Sequence, residues 1–149
     1  MRSSKTALVL VFTVVFGVLF VGIGIVLYAG FDMTTPGWLS PVAVVIAAVI
    51  AGRRFYAKEG APPVPTQSWH LAAWFTFGAF LVVTVASVLL SPELTALWPM
   101  NPSLLITLML EGRATGPLIV LNVIVIALLF LAARVFFPQG AKMRAASET

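Results

Sequence analysis

Apolar residues run unbroken by charge from position 7 to position 29. Three more long apolar runs follow, over positions 38–56, 69–90 and 117–137. A helix of about 20 mostly apolar residues crosses the hydrocarbon core of a bilayer. Each run is therefore predicted to be a transmembrane helix. Barrel strands are excluded, because they alternate in roughly ten-residue pieces and these runs are continuous. The second run is uncharged only as far as Gly52, so Arg53 and Arg54 are expected to reach toward headgroups. Arg134 is placed to do the same near the end of the fourth.

Polar and turn-forming residues punctuate the runs. Pro36-Gly37 ends the first connection, Ser91-Pro92 ends the third helix, and Gly116-Pro117 opens the fourth. Thr66 is the expected N-cap of the third helix. Between them the chain passes through Gly60-Ala61-Pro62-Pro63-Val64-Pro65, which forbids a continuous helix. Asn101-Pro102-Ser103 opens a shorter apolar stretch, 102–111, that is too short to span and is expected to lie at the interface. Trp38, Trp69, Trp74 and Trp98 fit an aromatic belt. The small, polar stretch 139–149 is expected to be a mobile tail. The predicted fold is an all-α polytopic membrane protein with a single domain, 1–149. It has four transmembrane helices in a bundle plus a short interfacial helix between the third and fourth.

Composition agrees with this pattern. Only 9% of the 149 residues are charged, against about 25% in soluble domains. The start Met1-Arg2-Ser3-Ser4-Lys5 imitates a secretory signal, but the following run exceeds the about 7–15 residues of a signal core and no clear cleavage site follows. An uncleaved first helix is expected. The net charge of +4 sits beside apolar segments, which points to anionic lipid headgroups rather than nucleic acid. With no cysteine, disulfides, thiolate metal sites and thiol nucleophiles are excluded.

Charge also orients the chain. With the N-terminus inside, Arg2, Lys5, Arg53, Arg54, Lys58, Arg134, Lys142 and Arg144 face the cytoplasm and only Arg113 of the nine faces out. Asp32, Glu93 and Glu111 then lie outside. This bias requires an even number of crossings and places both termini in the cytoplasm.

Candidate chemistry is sparse. A charge at the bilayer centre costs at least ~2.5–3.5 kcal/mol and usually marks function. No ionisable residue lies near the centre of any segment. His70, the single histidine, sits beside Trp69 at the interface without acidic partners, so a structural role outweighs a metal or proton role. Asn122, Thr13, Thr76, Thr84 and Ser87 are expected to hydrogen-bond between helices. Ala43, Ala47 and Ala51 recur every fourth residue, joined by Ala48 and Gly52, and Gly17, Gly22 and Gly24 thin the first helix. Small residues at this spacing let backbones approach, inside the bundle in preference to a dimer face. Arg53, Arg54 and Lys58 are candidates for a lipid headgroup, with topology control the plainer explanation. Glu111 and Arg113 are too close in sequence to face each other on a helix, which leaves them as solvated loop charges. No phosphate loop, hydrolase elbow, zinc helix or dinucleotide motif occurs, so no catalytic residue, metal or cofactor is assigned.

Ala51-Gly52-Arg53-Arg54-Phe55, then Lys58, Gly60, Pro65-Thr66 and Trp69-His70-Leu71-Ala72, resembles a group of small bacterial inner-membrane proteins of unknown function. The resemblance covers residues 51–73 and the general hydropathy. Pro62, Pro63 and His70 depart from the group's pattern. The resemblance implies four helices and placement in the bacterial inner membrane, and it implies no activity. The expected function is a non-enzymatic accessory or assembly subunit that binds a larger membrane complex or itself. The alternative is a small transporter or channel formed by self-association. A lipid-modifying enzyme using His70 or Glu111 ranks last, since the expected topology puts those residues on opposite sides.

Overall fold

The computed structural model describes residues 2–33, 36–89, 107–113 and 115–148. Among them every regular element is helical. Helix α1 (Arg2–Gly17) passes through a π-helical turn (Val18–Gly22) into α2 (Ile23–Phe31). Then come α3 (Leu39–Glu59), α4 (Pro65–Leu89) and α5 (Gly116–Ala146). Four stretches are long and apolar enough to cross a membrane: Lys5–Phe31, Leu39–Glu59, Pro65–Ala86 and Gly116–Ala146. A short helical piece covers 107–110. The first half of the expected interfacial helix, 102–106, lies outside the described residues.

Local chemistry sets the helix ends. Gly60 stops α3 in the left-handed region, φ 68°, and its N–H donates to Tyr56 O at 2.8 Å. A side chain there would cost about 1–2 kcal/mol, so glycine is the natural terminator. Asp32 ends α2 in the same way, φ 52°, with its N–H on Tyr28 O. Helix α4 begins two residues earlier than a Thr66 cap allows. Pro65 takes the first helical position, where its missing N–H does no harm. Gln67 reaches back to accept from Val64 N–H at 3.2 Å, half of a capping box.

The C-terminal stretch differs from the expected mobile tail. α5 continues through Pro138 to Ala146, 31 residues in all, or about 46 Å at 1.5 Å per residue. Pro138 removes one helical hydrogen bond. The helix persists because Gly140 and Ala141, just beyond it, are buried against α3.

Helices α3 and α5 form the most extensive pair in the bundle; α1 packs on α3 and α4, and α4 on α5. Glycines make the α3–α5 contact close. A Cβ on Gly52 would collide with the carbonyl oxygen of Phe137, and one on Gly140 with the backbone of Val49. Each glycine thus lies over the other helix's backbone. Ala43, Ala47, Ala48 and Ala51 are fully buried on α3. Phenylalanines fill the remaining centre. Leu8, Phe12, Phe16 and Phe20 recur every fourth residue on one buried stripe. Phe12 stacks on Phe75 with centroids 4.4 Å apart, Phe75 meets Phe137 edge-on at 5.5 Å, and Phe137 meets Phe55 at 5.6 Å. One aromatic chain therefore joins all four spanning stretches.

These contacts gather the basic end. The N-terminus of α1, the α3–α4 turn and the C-terminal part of α5 lie at the same end of the bundle. Lys5, Arg53, Arg54, Lys58, Arg134, Lys142 and Arg144 belong to that end, whereas Asp32, Glu111 and Arg113 belong to the other.

Candidate functional site

A cleft of about 870 Å³ opens at the basic end between α1, α3 and α4. Its walls are Lys5, Thr6 and Val9 from α1, Phe55 and Glu59 from α3, and Thr66, Gln67, His70, Leu71 and Trp74 from α4. Helical periodicity arranges them. Lys5 and Val9, Phe55 and Glu59, and Thr66, His70 and Trp74 are each four apart on their own helix and share a face. Moving inward along each helix, the polar member comes first and the apolar member next. The cleft is therefore polar at its mouth, where Lys5, Glu59, Thr66 and His70 are exposed, and apolar at its floor, where Phe55 and Leu71 are buried.

Hydrogen bonds fix part of this rim. His70 Nδ1 lies 2.8 Å from Thr66 O. A carbonyl only accepts, so Nδ1 carries the proton in this bond and Nε2 is the ring nitrogen that takes no part in it. Gln67 accepts through Oε1 from Val64, which leaves its NH₂ as a donor. Lys5 contributes a cation and Glu59 an anion. Among the described residues no cluster of three His, Asp or Glu could hold a metal ion.

Behind the cleft, α4 is tied to α5 by a separate contact. The Arg134 guanidinium lies 3.9 Å from the Trp69 ring, and Trp69 also meets Phe130 at 5.3 Å. Half-buried Arg134 thus ends its reach on an aromatic face.

The other sequence candidates fall elsewhere. Arg53, Arg54 and Lys58 are exposed near the cleft but do not line it. Ala43, Ala47 and Ala51 lie in the core. Asn122 is buried, and its amide donates to Leu118 O of its own helix at 2.9 Å. Thr13, Thr76 and Thr84 likewise donate to Val9 O, Ala72 O and Phe80 O. These bonds run within helices, not between them as expected, because the carbonyl four residues back is always in reach. Glu111 and Arg113 do meet, at 3.5 Å, since the chain turns at Gly112 (φ 66°) instead of continuing as a helix. The pair is exposed, at the opposite end from His70, and is worth little.

Sequence reasoning missed the cleft. It counted Lys5 only for orientation and passed over Glu59 and Gln67. The available signal was the repeated step from a polar to an apolar residue four positions on. Comparison with protein families, curated proteins and solved structures found no match.

Proposed function

We propose that this chain is an integral protein of the bacterial inner membrane with four crossings and both termini in the cytoplasm, and that it serves as a non-enzymatic accessory or assembly subunit of a larger membrane complex. The observation that carries the subunit role is the character of the buried polar groups. Among the described residues these are Ser40, Ser68 and Asn122, all neutral. Ion-coupled and proton-relay proteins place ionisable groups inside the bundle, and this interior offers hydrocarbon and aromatic rings.

The outward surface supports membrane placement. Large apolar side chains such as Val18, Phe31, Val120, Val123 and Leu128 are more than half exposed. In water a patch of this size would drive aggregation; lipid removes that drive. Such residues occur on every helix, and where α2 and α5 carry them the bundle also offers a second protein an apolar face. The cluster of cations at one end supports the cytoplasmic assignment of the termini, and the resemblance of residues 51–73 supports the bacterial inner membrane.

Two measurements test the reading. Because the chain has no native cysteine, single cysteines at Ala61 and Glu111 report sidedness cleanly. Impermeant maleimide added to intact cells should label the Glu111→Cys variant and spare Ala61→Cys; the reverse pattern refutes the topology. Purification in mild detergent at native expression should bring down a membrane partner. Recovery of this chain alone refutes the subunit role, and a labelled water path past Asn122 would favour the self-assembled channel instead.

A further inference from the structure

We propose that Arg134, held over the ring of Trp69 where α4 meets α5, binds the phosphodiester of one phospholipid, whose acyl chain runs along α4 past Ala73 and Thr76 to Phe80. The inference rests on the membrane reading above and adds a lipid site to it.

The stack sets the guanidinium. Its central carbon lies 3.9 Å from the Trp69 ring centroid. An edge-on approach would put N–H groups between carbon and ring and hold the carbon farther off, so the contact is made by the face. The ring is itself braced by Phe130, one turn before Arg134 on α5, at 5.3 Å. An arginine that only sought water would extend away from its neighbours; this one is half-buried on an aromatic face. Stacking uses the face of the guanidinium and leaves its N–H donors pointing outward in the plane. No described carboxylate takes them: Glu111 holds Arg113, and Glu148 holds Arg144. A planar fork fixed in this way matches two oxygens of one phosphate.

Depth favours a lipid phosphate. Helix α4 starts at Pro65, so Trp69 lies about 6 Å along it at 1.5 Å per residue. That is the headgroup level, where indole rings gather. The same face of α4 then takes the chain. Trp69, Ala73, Thr76 and Phe80 follow the i, i+4, i+7, i+11 spacing of a single helical stripe. Trp69, Ala73 and Phe80 are exposed and Thr76 is half-buried. The Thr76 hydroxyl donates to Ala72 O at 2.9 Å, so its proton is already used and the stripe is apolar. Ala73, small between two large rings, leaves a trough that starts beside the guanidinium. A soluble phosphate ester would meet Arg134 and nothing along the stripe. A diacylglycerol would meet the stripe and offer Arg134 no anion. A phospholipid uses both.

The test uses the full-length protein, delipidated in detergent and offered equimolar phosphatidylglycerol and diacylglycerol. Bound lipid is read by native mass spectrometry, and circular dichroism checks that each variant keeps its helix content. The expected result is retention of one phosphatidylglycerol at fivefold or more over diacylglycerol, undiminished by millimolar glycerol phosphate. Arg134→Lys keeps the charge but removes the flat fork and should cut retention at least threefold. Trp69 acts as a positioning residue, so Trp69→Leu should cut retention similarly and Trp69→Phe should largely preserve it. Lys142→Gln, which removes an exposed cation from the same helix, should change nothing. Equal retention of the two lipids, displacement by glycerol phosphate, full retention in Arg134→Lys or Trp69→Leu, or an equal loss in Lys142→Gln overturns the proposal. Release of the protein from membranes by alkaline carbonate would instead refute the membrane reading itself, so the two failures are told apart.

Discussion

Replacing Gly52 or Gly140 by alanine adds a single methyl group, and two effects of opposite sign compete. In a helix interior alanine is favoured over glycine by about 1 kcal/mol. At these positions the new carbon meets backbone. On Gly140 it would lie 2.8 Å from both Cα and C of Val49, and on Gly52 it would lie 3.0 Å from Phe137 C and 3.1 Å from Ala141 N, with a carbonyl oxygen nearer still in each case. Backbone cannot rotate away as a side chain can, so the helices must part by about 0.5–1 Å. A gap of that size forfeits a quarter to a half of each dispersion contact. A contact patch comparable to one buried leucine has ~40–60 atom pairs at ~0.1–0.2 kcal/mol each, so the loss is about 2–4 kcal/mol. Subtracting the helix-propensity gain leaves a net destabilisation of about 1–3 kcal/mol for either variant. The double variant should fall short of the sum, because one separation relieves both clashes. Gly22 has open space where its Cβ would stand, so Gly22→Ala is the control and should be neutral or stabilising. The assay is reversible unfolding in mixed micelles followed by circular dichroism. Gly52→Ala and Gly140→Ala variants as stable as Gly22→Ala would refute the claim that backbone contact holds α3 to α5.

Three further outcomes are expected. Phe75→Ala removes the ring that links Phe12 to Phe137 and should lower stability by about 3–5 kcal/mol in the same assay. Gly60→Ala forces a side chain into the left-handed turn after α3 and should cost about 1–2 kcal/mol, with helix content of the remaining chain unchanged by circular dichroism. Arg134→Ala, paired with Trp69→Leu in a double-mutant cycle, should give a coupling of about 1 kcal/mol; a coupling indistinguishable from zero would show that the guanidinium and ring merely sit close.

The four long helices were readable because each is a long apolar run almost free of charge, bounded by turn residues. The same reading hid where α5 ends. Its last turns are held by Gly140 and Ala141 against α3, a tertiary contact that a polar stretch with a proline does not advertise. Gly52, beside the alanine repeat on α3, showed that something packs closely there, but not that α5 supplies it. Phe12, Phe75, Phe137 and Phe55 were invisible as a unit, because aromatic residues are as welcome facing lipid as facing one another. The site was harder. Lys5 and Glu59 are far apart in sequence, and only the up-and-down path of the chain brings them to one mouth. Thr13, Thr76, Thr84 and Asn122 each donate to a carbonyl of their own helix, an acceptor that local geometry always keeps within reach.

The joint between α3 and α5 also has a consequence in time. Gly52 emerges from the ribosome well before Gly140, by roughly 90 residues of synthesis, which at about 5–20 residues per second is on the order of 5–20 s. During that interval the part of α3 around Val49 and Gly52 has no α5 to cover it. A nascent chain is then most exposed to chaperones, quality-control proteases and neighbouring helices of similar grooving. A stop codon that removed only the last dozen residues would keep Phe137 over Gly52 but take away Gly140 and Ala141, and with them the cover over Val49.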